Sequence, residues 1–146
     1  LALPIGLLIA RADSALTILF ANQTFTQMLG YADEEEFLTA LNGSSWAFVA
    51  PEDVQRLQDY AATRLGQTEA YEIAYRVIRK DGSLIWVNQN SRHAPDENGD
   101  EIIYAYYTDI TAQKQMEETI RAGVKQYETL INSPSLSATA CTNSAI

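Results

Sequence analysis

Residues able to do covalent or metal chemistry are scarce in this chain: it has one cysteine, Cys141, and one histidine, His93. A lone cysteine forms no internal disulfide, and with a single imidazole it cannot complete a structural zinc site. Any metal would have to rest on carboxylates, and no metal site is expected. His93 follows Arg92 near the end of a strand pattern and reads as a surface position. No Gly-rich phosphate loop and no Ser/His/Asp set is present, which leaves no catalytic candidate and argues against an enzyme. The chemistry that remains is recognition. Phe25, Met28, Trp46, Phe48, Tyr60, Tyr75, Trp86 and Tyr107, with Asn88 and Asn90 as polar tips, could line an apolar site for a small molecule. The same aromatics could instead simply fill a core, and the tyrosine hydroxyls would need partners in either case.

Periodicity supplies the elements that must hold these side chains. Residues 5–10 and 16–21 read as two short apolar strands joined by Asp13-Ser14, whose side chains favour a turn. Asn22 is placed to cap a short helix carrying Phe25, Met28 and Leu29, which Gly30 ends. Asp33 is placed to cap a second, with Glu34, Glu35 and Glu36 in the first turn where the macrodipole favours negative charge. Pro51-Glu52-Asp53 opens a longer helix in which Val54, Leu57, Tyr60 or Ala61, and Leu65 share one face; Gly66 stops it.

From residue 70 the period changes to two. Tyr71, Ile73, Tyr75 and Val77 form one face of a strand, Asp81-Gly82 turns it, and 85–92 returns. Asn98-Gly99 turns again into 102–109. The expected fold is α+β: a five-stranded antiparallel sheet with helices on one face and a C-terminal linker helix. Thr111 is placed to cap that last helix, expected over 112–131. There Met116, Ile120, Val124, Tyr127 and Ile131 recur at spacings of 4, 4, 3 and 4, a narrow seam of the coiled-coil kind. Residues 133–146 are rich in Ser, Thr and Ala without a period, expected to be a disordered tail or the start of a following domain.

Composition bounds the partners. A hydrophobic share of 47% with 20% charged residues suits a soluble globular domain. The net charge of −9 argues against nucleic acid and against anionic membrane surfaces, both of which need basic patches. No apolar run approaches the roughly 18 residues that span a bilayer, so no membrane contact by this segment is expected. A cytoplasmic location is the expectation for a chain with so little cysteine.

Several short motifs then fall in one order: Ala21-Asn22 with Phe25 and Gly30-Tyr31, Tyr75-Arg76, Lys80-Asp81-Gly82-Ser83 with Trp86-Val87, Asp96 to Gly99, and Asp109-Ile110-Thr111. Over roughly residues 3–111 this arrangement resembles a PAS domain, of the bacterial sensor kinase and diguanylate cyclase type. The resemblance implies a sensory or interaction module of residues 1–111, followed by a signalling helix over 112–132 that leads to an output domain elsewhere in the parent protein. It implies a site between sheet and helices, for which Phe25, Met28, Trp46, Tyr60, Tyr75, Trp86, Asn88 and Tyr107 are the candidates. It also implies a homodimer, with signal relay through Arg76, Asp109, Ile110 and Thr111; Arg76, Arg79 or Arg92 could pair with Asp109.

Departures from the family limit the cofactor. Flavin-adduct members use a cysteine on a mid-domain helix, where this chain has none, and haem-binding members use a histidine on the long helix, where 51–65 has none. Both chemistries are therefore not expected. The segment from Tyr127 to Pro134 looks like the entry to a second repeat. The alternative function is a ligand-free dimerisation and interaction scaffold, and the state of the cavity separates the two.

Overall fold

Strand and helix limits follow the two periods closely in the computed structural model, which describes residues 5–132. The expected tail over 133–146, with Cys141, and the end of the segment expected to open a second repeat lie outside those residues. Five strands are present: β1 (Gly6–Arg11), β2 (Ile18–Ala21), β3 (Tyr71–Ile78), β4 (Leu84–Pro95) and β5 (Glu101–Asp109). They pair antiparallel in the order β2-β1-β5-β4-β3. Helices α1 (Gln23–Met28), α2 (Glu34–Ala40) and α3 (Pro51–Arg64) fill the connection from β2 to β3. A short 3-10 turn, Ser45–Phe48, precedes α3. Contacts divide the chain into one unit ending at Thr111 and a second beginning at Ala112.

The caps explain where the helices begin. Asn22 Oδ1 accepts the Phe25 N–H at 2.9 Å and also the Leu7 N–H at 2.9 Å, so one amide starts α1 and ties it to β1. Asp33 Oδ1 accepts the Glu36 N–H at 2.8 Å. Pro51 opens α3 at a position where a missing N–H costs nothing. Gly6 on β1 lies under α1 so closely that a Cβ there would stand 2.8 Å from Phe25 Cδ1 and 3.2 Å from its Cα. Phe25 can then stack on Tyr107 at 4.4 Å between ring centres, with Phe37 and Phe48 edge-on to Phe25 at 5.7 and 5.5 Å. All four rings are fully buried and form the densest part of the core.

α3 is held beside the sheet by polar groups rather than by close apolar packing alone. Asp53, Arg56 and Tyr60 recur at helical spacing along the outer edge of β3. Asp53 Oδ2 accepts the Arg76 N–H at 2.8 Å, Arg56 Nη2 donates to the Ala74 carbonyl at 2.9 Å, and the Tyr60 hydroxyl reaches the Glu72 carbonyl at 3.5 Å. The Ala50 N–H donates to the Arg76 carbonyl at 3.0 Å. Alternate edge groups of β3 are thereby paired, which removes a template for edge-to-edge association. Arg76 also closes a fork on Asp53, with Nε 3.0 Å from Oδ2 and Nη2 2.8 Å from Oδ1. These hydrogen bonds from Arg76, against the opposing effect of burial, hold the Asp53 carboxyl below its usual range.

α4 (Thr111–Ile131) starts one residue earlier than expected, and from Ala112 on it forms the described part of the second unit. Met116, Ile120, Val124, Tyr127 and Ile131 are all exposed along it.

Two stability predictions follow from these contacts. Gly6→Ala forces α1 off the sheet and should lower stability by about 1–3 kcal/mol in urea unfolding; an unchanged midpoint would mean that the close approach is not needed. Asp53→Asn should cost about 2 kcal/mol near neutral pH. Because the folded pKa is depressed, the wild-type advantage exists above the unfolded value of about 3.9 and disappears as pH falls through the folded one. The gap between the two proteins should therefore narrow below about pH 4, and a constant gap would assign the effect to shape instead of charge.

Candidate functional site

Between α3, the 3-10 turn and the inner face of β1, β3, β4 and β5 lies a cavity of about 400 Å³. Its walls are mainly apolar, with Leu8, Phe48, Leu57, Ile73 and Ile103 among them. That volume and lining fall within the range of small-molecule sites. Trp46 closes one end and donates from Nε1 to the Ser14 carbonyl at 3.2 Å.

The inner face of β4 contributes polar groups to the cavity: Gln89 and His93 line it, and Ser91 is buried between them, all following Val87 at period two. Gln89 Oε1 accepts from the Tyr75 hydroxyl at 2.6 Å and from the Tyr107 hydroxyl at 3.1 Å, and the two phenol oxygens stand 3.3 Å apart. Gln89 Nε2 donates to Ser91 Oγ. Burial pushes the pKa of Tyr75 and of Tyr107 well up, so both phenols stay neutral across the physiological range.

A second cluster holds the end of α3. His93 Nε2 is 2.7 Å from the Tyr71 hydroxyl, and its Nδ1 is 3.4 Å from Glu101 Oε1, which itself accepts the Gly66 N–H at 3.2 Å. Burial raises the Tyr71 pKa as well. Arg64 lays its guanidinium over the rings of Tyr60 and Tyr71, 5.0 Å from each.

Four of the eight residues expected at the site line this cavity: Trp46, Tyr60, Tyr75 and Tyr107. Phe25 and Met28 pack in or against the core beside it and are not part of its wall. Trp86 and Asn88 are on the other face of the sheet. Trp86 stands opposite Arg76, whose guanidinium lies 5.4 Å from its ring, and Asn88 Nδ2 reaches Glu72 Oε2 at 3.3 Å. Asn90, opposite Glu72 and Tyr106, shares that outer face. His93, expected at the surface, is only 3% exposed. The expected β4 stopped at residue 92, whereas the strand continues to Pro95 and carries His93 inward. Tyr71, Gln89, Ser91 and His93 were missed together. Counting by twos from Val87 would have found the three on β4.

At the junction with α4 the partners also differ from expectation. Arg76 pairs with Asp53, and Arg79 Nε donates to the Met28 carbonyl at 3.1 Å. Asp109 Oδ1 instead accepts the Thr111 N–H at 2.9 Å. Thr111 Oγ1 accepts the Trp86 N–H at 2.9 Å rather than one from the first helical turn, and the Ile110 N–H donates to the Trp86 carbonyl at 2.9 Å. The Asp-Ile-Thr therefore fastens the last residue pairs of the sheet to each other just before α4.

Comparison with known proteins agrees with this architecture. A family model for the PAS fold matches residues 18–107. No curated protein matches the chain. Among solved structures, a sensory box histidine kinase/response regulator from Burkholderia thailandensis aligns at 20% identity over 86% of this chain and 92% of that one, with a TM-score of 0.69. The N-terminal domain of a diguanylate cyclase with PAS/PAC sensor from Marinobacter aquaeolei aligns at 15% identity over 75% and 98%, with a TM-score of 0.60. The PAS domain of an HTR-like protein from Haloarcula marismortui aligns at 30% identity over 73% and 82%, with a TM-score of 0.58. With the fold, the order of its motifs and the family match in agreement, the chain belongs to the PAS family of sensory and regulatory domains.

Proposed function

We propose that this chain is the sensing module of a multidomain, cytoplasmic signalling protein. Its cavity takes a small molecule, and α4 carries the resulting change toward an output domain as one half of a dimer. The observation that carries this reading is the cavity of about 400 Å³ with a hydrogen-bonding floor. A close-packed core would offer no such space. Coupling is supported by β4 itself: Gln89 is on its inner face, and three residues earlier the Trp86 backbone holds Ile110 and Thr111. Dimerisation is supported by the exposed stripe on α4, since five apolar residues on one narrow face are covered when two such helices pair.

A ligand-free scaffold is the second reading, favoured by the apolar outer face of the sheet, where Phe20, Tyr104 and Tyr106 are each more than 40% exposed. It needs the α4 seam and no occupant of the cavity.

Native mass spectrometry of the purified protein separates the two. A sensor should retain a small-molecule mass that Ala61→Trp, which fills the cavity from α3, removes; no bound mass and no thermal shift with any added compound would leave the scaffold. Ile120→Glu with Val124→Glu should convert a dimer to a monomer in sedimentation equilibrium, and an unchanged mass would refute pairing through α4. Thr111→Val removes the acceptor of the Trp86 N–H. Its amide should exchange about fivefold faster, the equivalent of about 1 kcal/mol, and unchanged exchange would take Thr111 out of the junction.

A further inference from the structure

We propose that the cavity selects an uncharged, largely apolar molecule that carries a single hydrogen-bond donor, and that Gln89 sets this preference. The inference rests on the sensing reading above and specifies what is sensed.

The first argument is charge. Among the described residues no lysine or arginine lines the cavity, and the one carboxylate in its lining is Asp13. Burial pulls the Asp13 pKa upward, but the hydrogen bonds it accepts from the Thr17 N–H and hydroxyl win and keep it ionised. Both of its oxygens are thereby engaged with Thr17. His93 lines the cavity too; its Nε2 meets the Tyr71 hydroxyl, while its Nδ1, 3.4 Å from Glu101 Oε1, makes no hydrogen bond among the described residues. The Arg64 guanidinium is stacked on Tyr60 and Tyr71 and does not form part of the wall. An anion inside would be desolvated with no opposite charge on the wall itself, the nearest being Arg64 behind the rings of Tyr60 and Tyr71, and a cation would fare little better.

The second argument is a count of hydrogens. Each tyrosine has one O–H to give and Gln89 Oε1 has two lone pairs to fill. The shortest pairings send the Tyr75 hydrogen to Gln89 at 2.6 Å and the Tyr107 hydrogen to the same oxygen at 3.1 Å. The amide nitrogen is turned away to Ser91, which fixes the carbonyl toward the phenols. Both hydroxyl hydrogens are then spent, and what the two phenols still offer to a ligand is oxygen lone pairs. A ligand N–H or O–H is satisfied there, whereas a ligand carbonyl or pyridine-type nitrogen placed against the two phenols meets only acceptors and loses its hydrogen bonds to water.

Four probes of similar size test this by calorimetric titration of the whole chain at pH 7.5: 2-phenylpyrrole, which only donates; 2-phenylfuran, which does neither well; 2-phenylpyridine, which only accepts; and biphenyl-4-carboxylate, an anion. Phenylpyrrole should bind about tenfold tighter than the furan and the pyridine, the worth of one hydrogen bond, with the carboxylate weakest. Gln89→Leu releases both phenol hydrogens toward the cavity and should reverse the order of pyrrole and pyridine. Tyr107→Phe, a milder change, should weaken the pyrrole and leave the furan unaffected. Pyridine or carboxylate binding as tightly as pyrrole, and blocked by Ala61→Trp, would overturn the donor rule while leaving a ligand cavity. Binding of none of the four, or binding that Ala61→Trp does not touch, would overturn the sensing reading and this inference with it.

Discussion

The attachment of α3 to the edge of β3 is the constraint from which the cavity follows. A helix crossing a sheet normally sinks its apolar face until side chains interdigitate. Here Asp53, Arg56 and Tyr60 reach sideways to the β3 backbone and fix the helix along that edge, while Glu101 takes the N–H just past its end. Those bonds have directions and lengths, so α3 cannot slide inward without breaking them. Leu57, packed into the core, and Ala61 both border the cavity. Beside it on the same face the aromatic cluster of Phe25, Phe37, Phe48 and Tyr107 is fully buried, with Phe48 and Tyr107 also bordering the cavity. One sheet thus supports a dense core and an open one side by side.

The open half would be costly if its surface were apolar throughout, since unfilled space forfeits dispersion contacts. Its floor is polar instead, and the polar groups largely satisfy one another. Gln89 serves Tyr75, Tyr107 and Ser91, while His93 serves Tyr71 beside Glu101. Buried amides and phenols held this way carry little desolvation penalty and keep defined orientations. The pKa values of Tyr75 and Tyr107, raised by burial, belong to the same picture: a neutral network with its hydrogens assigned.

Much of this was legible in the residue order, and the exceptions have one physical cause. Strand periods, caps at Asn22 and Asp33, Pro51 at the head of α3 and the glycine turns all carry local chemistry, so each can be read without knowing its neighbours. The face of β4 cannot. Trp86 is the most hydrophobic signal on that strand and suggests that 86, 88 and 90 point inward. Arg76 lies over the Trp86 ring on the outer face, however, and that cover comes from a residue ten positions earlier. A polar run of Gln89, Ser91 and His93 turned inward is likewise credible only once Tyr71, Tyr75 and Tyr107 are known to meet it. The Asp109 partner failed for a similar reason: charge suggested an arginine, while the backbone N–H of Thr111, two residues away, was nearer.

The register of β4 with β5 is what gives the junction its leverage. Gln89 stands opposite Tyr107 and Val87 opposite Asp109, so the floor of the cavity and the start of the Asp-Ile-Thr lie two rungs apart on one ladder, with Asn88 and Thr108 between them. Tyr107 points into the network and Asp109, two residues on, receives the Thr111 N–H. A ligand that draws the phenol of Tyr107 away from Gln89 must move β5 against β4 or rotate that side chain out of its stack on Phe25. That stack is fully buried. Just beyond, the Trp86 N–H is held by Thr111 Oγ1 at 2.9 Å, so the same ladder ends on the Asp-Ile-Thr.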